Sequence, residues 1–274
     1  MWLSSLNPRW TSWEGKRVWI IGASSGIGAE LGRQLVARGA LVAVSGRRRE
    51  ALERVASGRE GPMIVLPMDA RQADDWRRAE NELRQQWPRI DLVVMAAAVY
   101  QPMHSWELRE EAVRSMIDTN LTSVYLGLEA ILPGLLAQGQ GSVALVGSVA
   151  GYMGLPKAAV YGPTKAALIN LAEVMYSELR DRGIGVYLVN PGFVSTRLTA
   201  ENDFHMPALL STEQACEYII RGFGKGQFEI HFPKRFSVAL QLMRFLPYRM
   251  KLALLRRVAR NASGHAPQTH EPAK

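Results

Sequence analysis

The stretch VWIIGASSGIGAELG, residues 18–32, constrains the fold more than any other part of this sequence. It opens with four apolar residues, as in a parallel strand that is covered on both faces. Three glycines follow, Gly22, Gly26 and Gly28, before apolar residues recur at helical spacing. A strand that leads through such a turn into a helix aims the first free helical N–H groups at the turn, where they suit a phosphate. Glycines that only pack a tight turn would give the same pattern, so the rest of the chain must decide.

Strand-like and helix-like segments alternate along the rest of the chain. The candidate strands are residues 18–21, 41–45, 63–67, 92–96, 143–148, 186–190 and 228–231. Helical patterns fill the intervals, at about 73–87, 110–138, 158–181 and 212–223. Strict alternation with short connections predicts an α/β fold with a single doubly wound parallel sheet of about seven strands, Rossmann-like. Functional residues should then follow the carboxyl ends of the strands.

The positive charge is concentrated in a C-terminal tail. Residues 1–229 carry 24 basic and 24 acidic side chains, whereas residues 230–270 carry eight basic side chains and no acidic one. Nucleic-acid binding by the main body therefore has no electrostatic support. We divide the chain into an N-terminal extension (1–14), a Rossmann-like domain (15–232) and a basic helical tail (233–274).

The tail reads as two short helices from Phe236 to Arg260, divided at Pro247. In the second helix one side is apolar and the other carries arginines, with Lys251 as a misfit on the apolar side. Such a helix can pack on its own domain or on a partner subunit. A basic amphipathic helix also suits an anionic membrane surface, and both interpretations stay open.

The single cysteine, Cys216, excludes a disulfide framework within the chain and fits a reducing compartment, where we expect a buried thiol. We find no signal-peptide pattern and no run of eighteen apolar residues. We therefore expect a cytoplasmic protein, with membrane association left open. The N-terminal residues Trp2, Leu3, Trp10 and Trp13 are expected to fold back onto the domain or to form an interfacial contact.

The second strand is followed by three arginines, Arg47, Arg48 and Arg49, with no acid before Glu50. Dinucleotide sites often place an acid here for the ribose 2′-OH, whereas an arginine accommodates a 2′-phosphate. We expect Arg47 in particular to meet a phosphate, and Arg49 to be solvated at a helix start. Asp69, after the third strand, can accept a hydrogen bond from an adenine amino group or cap a helix.

Tyr161 and Lys165 are four residues apart and share one face of a predicted helix. Pro163 between them is tolerated only in the first helical turn, so the pair lies at the end of the helix that faces the strand ends. An ammonium group beside the phenol should lower the Tyr161 pKa toward neutrality for acid–base work. Ser148, which ends its strand, can hydrogen-bond the same substrate oxygen. A Tyr-x-x-x-Lys pair alone is a common accident, but accident is a poor explanation beside Ser148 and the glycine turn.

With these motifs the chain resembles the short-chain dehydrogenase/reductase family over nearly all of residues 15–232. The matching stretches are IGASSGIG, NLTSVYLG, SVAGYMGLPKAAVYGPTK and NPGFVSTRL. Two departures stand out. Ile21 replaces the usual Thr, and residues 95–98 read Met-Ala-Ala-Ala instead of Asn-Asn-Ala-Gly. The second puts the stability of the sheet or the placement of the nicotinamide in doubt.

The resemblance implies an NAD(P)-binding catalytic domain with the catalytic tetrad Asn120, Ser148, Tyr161 and Lys165. Tyr161 would donate the proton, Ser148 polarise the carbonyl, Lys165 hold the nicotinamide ribose, and Asn120 hold a relay water. Thr196 and the Val194 backbone would bind the carboxamide. The predicted cofactor contacts are Gly22, Ser24, Ser25, Gly26, Ile27, Gly28, Arg47, Arg48, Asp69, Ala97, Tyr161, Lys165, Pro191, Val194 and Thr196. No metal is expected.

We therefore predict a reductase of an apolar ketone or aldehyde that favours NADP(H) over NAD(H) and assembles as a homodimer or homotetramer. Apolar residues in the loop 197–210 suggest a lid over the substrate, or simple packing on the core. Two alternatives remain. One is a nucleotide-sensing or scaffold protein that keeps the fold without catalysis, and the other is a membrane-surface adaptor whose tail is the function.

Overall fold

The computed structural model describes residues 5–58, 61–199, 206 and 208–263. Seven strands form one parallel sheet, in the order β3-β2-β1-β4-β5-β6-β7. Their bounds are β1 (Arg17–Ile21), β2 (Leu41–Gly46), β3 (Ile64–Pro67), β4 (Leu92–Met95), β5 (Gly141–Val146), β6 (Ile184–Pro191) and β7 (Glu229–Phe232). The prediction of a doubly wound, Rossmann-like sheet is confirmed, and each predicted strand is present with small shifts at its ends.

Nine helices are described around this sheet. Their bounds are α1 (Gly26–Val36), α2 (Arg49–Ala56), α3 (Ala73–Gln86), α4 (Glu110–Ile117), α5 (Ser123–Gln138), α6 (Tyr161–Leu179), α7 (Thr212–Lys225), α8 (Lys234–Arg244) and α9 (Tyr248–Ser263). The predicted helix at 110–138 is divided into α4 and α5 by a π-helical turn, Asp118–Thr122. Pro247 separates α8 from α9, as the tail pattern predicted. The boundaries of the three predicted regions of the chain stay a prediction.

Both faces of the sheet are buried, which explains why its strands are apolar without alternation. On one face, Leu31 and Leu35 of α1 pack in the same core as Phe223 of α7. On the other face, helices α3, α5 and α6 contribute Trp76, Leu128 and Leu168. Burying each of these large side chains stabilises the fold by about 1.5–3 kcal/mol, before the entropy of ordering is subtracted.

The α4–α5 segment, Glu110–Gln138, is the one helical segment of the described chain that is long and apolar enough to span a membrane by length and composition. Four of its apolar residues, Val124, Leu128, Ile131 and Leu135, nevertheless belong to the protein core against the sheet, while Ile117 and Tyr125 are exposed. We therefore assign this segment as a core helix pair.

The N-terminal extension packs on the domain at the β6 side of the sheet. The Asn7 side chain donates to the Val186 carbonyl and accepts from the Val186 N–H, at 2.6 and 2.9 Å. Trp10 and Trp13 stack at 5.2 Å, and Trp13 contacts the Phe223 ring edge. The expected folding back of these two tryptophans is confirmed, and Trp2 and Leu3 lie outside the described residues.

The strand order places the functional crevice. The chain goes from β1 outward to β3 and then crosses back to β4, so β1 and β4 are neighbours whose connections diverge. A crevice opens outside the carboxyl ends of the strands at such a switch point. The glycine turn follows β1 at this edge, and Ser148 follows β5 at the same edge.

Candidate active site

A cavity of about 780 Å³ opens at this edge of the sheet. It is lined by fifteen of the predicted site residues, namely Gly22, Ser24, Ser25, Gly26, Ile27, Gly28, Arg47, Asp69, Ala97, Ser148, Tyr161, Lys165, Pro191, Val194 and Thr196. Two predicted site residues, Asn120 and Arg48, do not line it. The structure therefore brings together motifs that lie more than 170 residues apart in the chain.

The glycine turn forms one wall of the cavity. Gly22 has a φ of +86° and lies against the next loop, because a Cβ there would come within 2.5 Å of the Ala97 nitrogen. A Cβ at Gly28 would be 2.6 Å from the Gly22 carbonyl oxygen. Gly26 has a φ of +61° and approaches Thr196. Close packing and positive φ thus both require glycine at this turn.

The first turn of α1 also lines the cavity, and packing alone does not give its backbone N–H groups hydrogen-bond partners. Ser25 precedes the helix without a side-chain capping hydrogen bond, and the first turn carries no acidic residue. Its first N–H groups and the positive end of the helix dipole are therefore available to an anion. These residues fit the pyrophosphate of a dinucleotide.

The opposite wall holds Ser148, Tyr161 and Lys165. Ser148 lies two residues beyond β5, and its hydroxyl accepts a hydrogen bond from the Ala150 N–H at 3.1 Å. Tyr161 is the first residue of α6, so Pro163 falls in the first turn as predicted. One helical turn later, Lys165 places its Nζ 5.6 Å from the centre of the Tyr161 ring.

Burial controls the protonation of this pair. It raises the pKa of Tyr161 to about 12, and the hydrogen bond with the Ser148 hydroxyl opposes that rise. Burial lowers the pKa of Lys165 to about 7. Its Nζ donates to the Val146 carbonyl oxygen at 2.8 Å. The expectation that Lys165 brings the Tyr161 pKa toward neutrality is wrong in this structure, because burial is the largest influence on that pKa and raises it.

Asn120 serves the loop after β4. It is fully buried in the π-helical turn Asp118–Thr122. Its side chain accepts from the Val99 N–H at 2.8 Å and donates to the Val99 carbonyl at 2.9 Å. It also donates to the Thr164 hydroxyl at 3.3 Å. The amide therefore braces this loop through three hydrogen bonds, and the expected role of Asn120 in holding a relay water stays a prediction.

This bracing compensates for the Met-Ala-Ala-Ala sequence at residues 95–98. The loop is held at one end by the Ala96 N–H, which donates to the Ile21 carbonyl at 2.9 Å. Next to it, the Ala97 backbone packs directly against Gly22. At the other end, Asn120 fixes both backbone groups of Val99. The loop therefore keeps a defined path without asparagine side chains of its own.

Arginines mark the adenosine end of the cavity. Arg47 lines it directly after β2 and makes no hydrogen bond or ion pair with another described residue. Arg48 instead occupies the capping position of α2 and donates to the Ser24 hydroxyl at 3.3 Å. Arg49 forms an ion pair with Glu53 on an exposed helix face, which agrees with the prediction that Arg49 is solvated.

Asp69 and Arg71 form an ion pair at the rim of the same region. The Arg71 Nη2 lies 2.6 Å from the Asp69 carboxylate, and hydrogen bonds from Arg71 lower the Asp69 pKa. Helix α3 is preceded by Gln72, so the helix-cap alternative for Asp69 is wrong. Arg71 lines the cavity and was missed by sequence reasoning. Its position two residues after Asp69 was the available signal.

The tail supplies the remaining wall. Five apolar side chains from α8 and α9 line the cavity, namely Phe236, Leu240, Met243, Leu255 and Val258. Helix α8 is anchored by Gln241, whose side chain donates to the Glu229 carboxylate at 3.0 Å. The inner side of the tail thus packs on its own domain, which sequence reasoning left as one of two alternatives. Leu198 of the predicted lid loop also lines the cavity, and Phe204 lies outside the described residues.

The comparisons with known proteins agree with this geometry. The family model for short chain dehydrogenases matches residues 16–206. The chain belongs to the short-chain dehydrogenase/reductase family. As a family member, the protein is an oxidoreductase that acts on a small-molecule substrate with a nicotinamide cofactor.

Individual relatives of this short-chain dehydrogenase/reductase cover most of its length. An uncharacterized oxidoreductase of Myxococcus xanthus is 34% identical over 242 residues, 87% of this chain and 96% of the relative. The 3-oxoacyl-[acyl-carrier-protein] reductase FabG of Salmonella typhimurium is 29% identical over 190 residues, covering 69% of this chain and 77% of the relative. A solved short-chain type dehydrogenase/reductase from Mycobacterium marinum superposes with a TM-score of 0.75 at 26% identity, over 81% of this chain and 95% of that one.

Proposed function

We propose that this protein is an NADP(H)-dependent carbonyl reductase that acts on an apolar ketone or aldehyde in the cytoplasm. One observation carries the proposal. Ser148, Tyr161 and Lys165 line the same cavity as the uncapped start of α1, and the Ser148 hydroxyl lies close enough to the Tyr161 phenol to lower its pKa.

The residues that line the cavity would each perform a different part of carbonyl reduction. A bound nicotinamide supplies the hydride. The first turn of α1 would hold the pyrophosphate, and Thr196 with the Val194 backbone would hold the carboxamide. Ser148 donates a hydrogen bond to the substrate carbonyl oxygen and polarises it. Tyr161 then donates its proton to the same oxygen.

The protonation state of Tyr161 favours the reductive direction. With a pKa of about 12, the phenol carries its proton at neutral pH and is ready to act as an acid. Lys165, next to the ring, stabilises the phenolate that remains after proton transfer when it is charged. It would also hold the nicotinamide ribose.

The preference for NADP(H) rests on Arg47. The residue follows β2 directly, lines the cavity and forms no ion pair with a described acidic side chain. Its charge acts on the Asp69 carboxylate only from a distance and can meet a 2′-phosphate, whereas Arg71 is directly paired with Asp69. No acidic residue lies at the end of β2, where dinucleotide sites that bind a free ribose 2′-OH place one. Asp69 stays the candidate for the adenine.

The apolar substrate is proposed from the composition of the tail wall. Phe236, Leu240 and Met243 of α8 face the cavity beside Leu255 and Val258 of α9. Such a wall gains from removing apolar surface from water and offers few polar groups to a hydrophilic substrate. The similarity to the Salmonella 3-oxoacyl-[acyl-carrier-protein] reductase supports a carbonyl as the reacting group.

A panel of ketones and aldehydes of increasing chain length, assayed with NADPH and with NADH, tests this function. We expect turnover with NADPH that improves with the apolar length of the substrate. Tight NADPH binding without turnover on any member of the panel would instead support a nucleotide-sensing scaffold. Turnover that favours short polar carbonyls would contradict the apolar substrate.

A further inference from the structure

The tail helices α8 and α9 have a second, outward side that the catalytic proposal does not use. Large apolar side chains of both helices are exposed, namely Val238, Leu242, Phe245, Tyr248, Met250, Leu252, Leu254 and, at the edge of the cavity, Val258. Phe245 is 86% exposed and Tyr248 is 73% exposed. So dense an apolar patch on a surface marks a place where something else binds.

The same two helices are also strongly basic. Four arginines of α9 are exposed, and none of them forms a salt bridge with a described residue: Arg249, Arg256, Arg257 and Arg260. Lys251, the misfit of the sequence pattern, places its Nζ 4.2 Å from the centre of the Tyr248 ring. A cation–π contact thus keeps this lysine on the apolar side without an acidic partner. Residues 230–270 contain no acidic residue at all.

Charge decides what occupies this surface. In a two-fold dimer the same patch meets its own copy, so a dimer through the tail would bring two sets of eight basic residues together. Like charges in such an interface oppose association. An anionic lipid surface offers apolar chains for Leu242 and Phe245 and phosphates for the arginines at once.

We propose that the outward side of α8 and α9 docks the enzyme on an anionic lipid bilayer. The inward side of the same two helices is the apolar wall of the cavity, formed in part by Leu240 and Leu255. Docking therefore places the cavity next to the hydrocarbon region, and the substrate is a carbonyl compound dissolved in the bilayer. The substrate clause rests on the proposed function, whereas the docking clause does not.

The test is sedimentation of the full-length protein with vesicles of phosphatidylcholine, either alone or mixed with phosphatidylglycerol. The charge variant carries four Arg→Gln changes in α9, at Arg249, Arg256, Arg257 and Arg260. The matched control carries the same number of Arg→Gln changes on the body of the protein, at Arg54, Arg77, Arg109 and Arg114. A third protein carries Leu242→Ser and Phe245→Ser. Binding of NADPH by every variant verifies that each is folded.

We expect the parent protein and the matched control to bind the mixed vesicles at low salt. Binding should weaken at high salt and be weak on phosphatidylcholine alone. The charge variant should lose at least about tenfold in affinity, because one basic side chain near an anionic surface contributes roughly fivefold. The apolar variant should also bind more weakly.

Three results would overturn the docking proposal. The first is absence of the parent protein from the vesicle pellet at low salt. The second is a loss of binding in the matched control equal to that in the charge variant. The third is a smaller particle mass by light scattering for the apolar variant, together with no vesicle binding by the parent protein. The last would assign the surface to a second copy of the chain. Vesicle binding without turnover on any carbonyl would leave docking standing and refute only the proposed function.

Discussion

Lys165 holds its Nζ 5.6 Å from the centre of the Tyr161 ring, and burial drives both groups toward their neutral forms. The Tyr161 phenol therefore keeps its proton at neutral pH, while Lys165 gains or loses its proton near neutral pH. A site with these two groups is set to donate a proton from Tyr161, which is the step that carbonyl reduction requires.

The buried Lys165 predicts a specific dependence of stability on pH. Its pKa is about 7 in the folded protein and 10.5 in its ordinary state, so between these values the unfolded chain holds a proton that the folded chain has lost. The free energy of unfolding contributed through this residue therefore rises with pH across the window, by about 1.4 kcal/mol per pH unit. Below pH 7 both states are charged and the burial penalty is fully present.

Lys165→Met removes this titration and retains most of the apolar volume. Relative to the parent, the variant should be most favoured below pH 7 and should lose that advantage as the pH rises to 10.5. The lost hydrogen bond to Val146 shifts the difference by an amount that is independent of pH. Denaturant unfolding of both proteins across this range measures the effect, and parallel stability curves would contradict it.

Arg47→Ala should weaken NADPH binding by about tenfold, the equivalent of roughly 1.4 kcal/mol, and leave NADH binding nearly unchanged. The gap between the two cofactors in the parent should shrink with added salt, because a charge pair near solvent is screened. Arg49→Ala, which removes an arginine that pairs with Glu53, is the matched control. Calorimetric titration that gives equal dissociation constants for the two cofactors in the parent refutes this preference.

The bracing role of Asn120 predicts a loss of stability when its amide is removed. Asn120→Ala leaves the partly buried N–H and carbonyl of Val99 without their partner, at a cost of up to about 1–3 kcal/mol for each group that water does not reach. Asn120→Asp keeps the hydrogen-bond acceptor and loses the donor. Its loss of stability should lie between those of the parent and Asn120→Ala if the carboxyl group is neutral, and should be larger if the carboxylate stays charged. A stability equal to that of the parent in urea unfolding, with lost turnover alone, would favour the water-relay role instead.

Assembly is predicted from the exposed apolar side chains of the long helices. Ile117 of α4, Tyr125 of α5 and Val174 of α6 are exposed, and by analogy with the family we expect a two-fold interface on these elements. We expect a dimer or tetramer by light scattering at micromolar concentration, and Tyr125→Arg should reduce the mass. A monomeric mass for the parent protein would rule this assembly out.

Much of the fold was predictable because its signals are local. A buried parallel strand such as β1 is apolar throughout, and the following turn needs glycine for positive φ at Gly26. Pro163 restricts the start of α6 to one position, so the spacing of Tyr161 and Lys165 could be converted into a shared face. Such patterns need only neighbouring residues.

The parts that sequence reasoning missed depend on contacts between distant segments. Asn120 was expected to hold a water, and only the placement of Val99 beside it shows that its amide is engaged. The Tyr161 pKa was expected to fall because the pattern shows the lysine but not the burial. The tail pattern showed an apolar side without showing that Leu240 and Leu255 close the cavity.

We propose that Tyr161 donates the proton in an NADPH-dependent carbonyl reduction. The most direct test is to measure the rate of NADPH oxidation by the Tyr161→Phe variant. The control is Tyr218→Phe, whose ring stacks on Phe232 away from the cavity. We expect turnover to fall by at least about 10²-fold in Tyr161→Phe, with nearly unchanged NADPH binding. Turnover of the control should be normal. Turnover of Tyr161→Phe close to that of the parent protein would contradict the proposal.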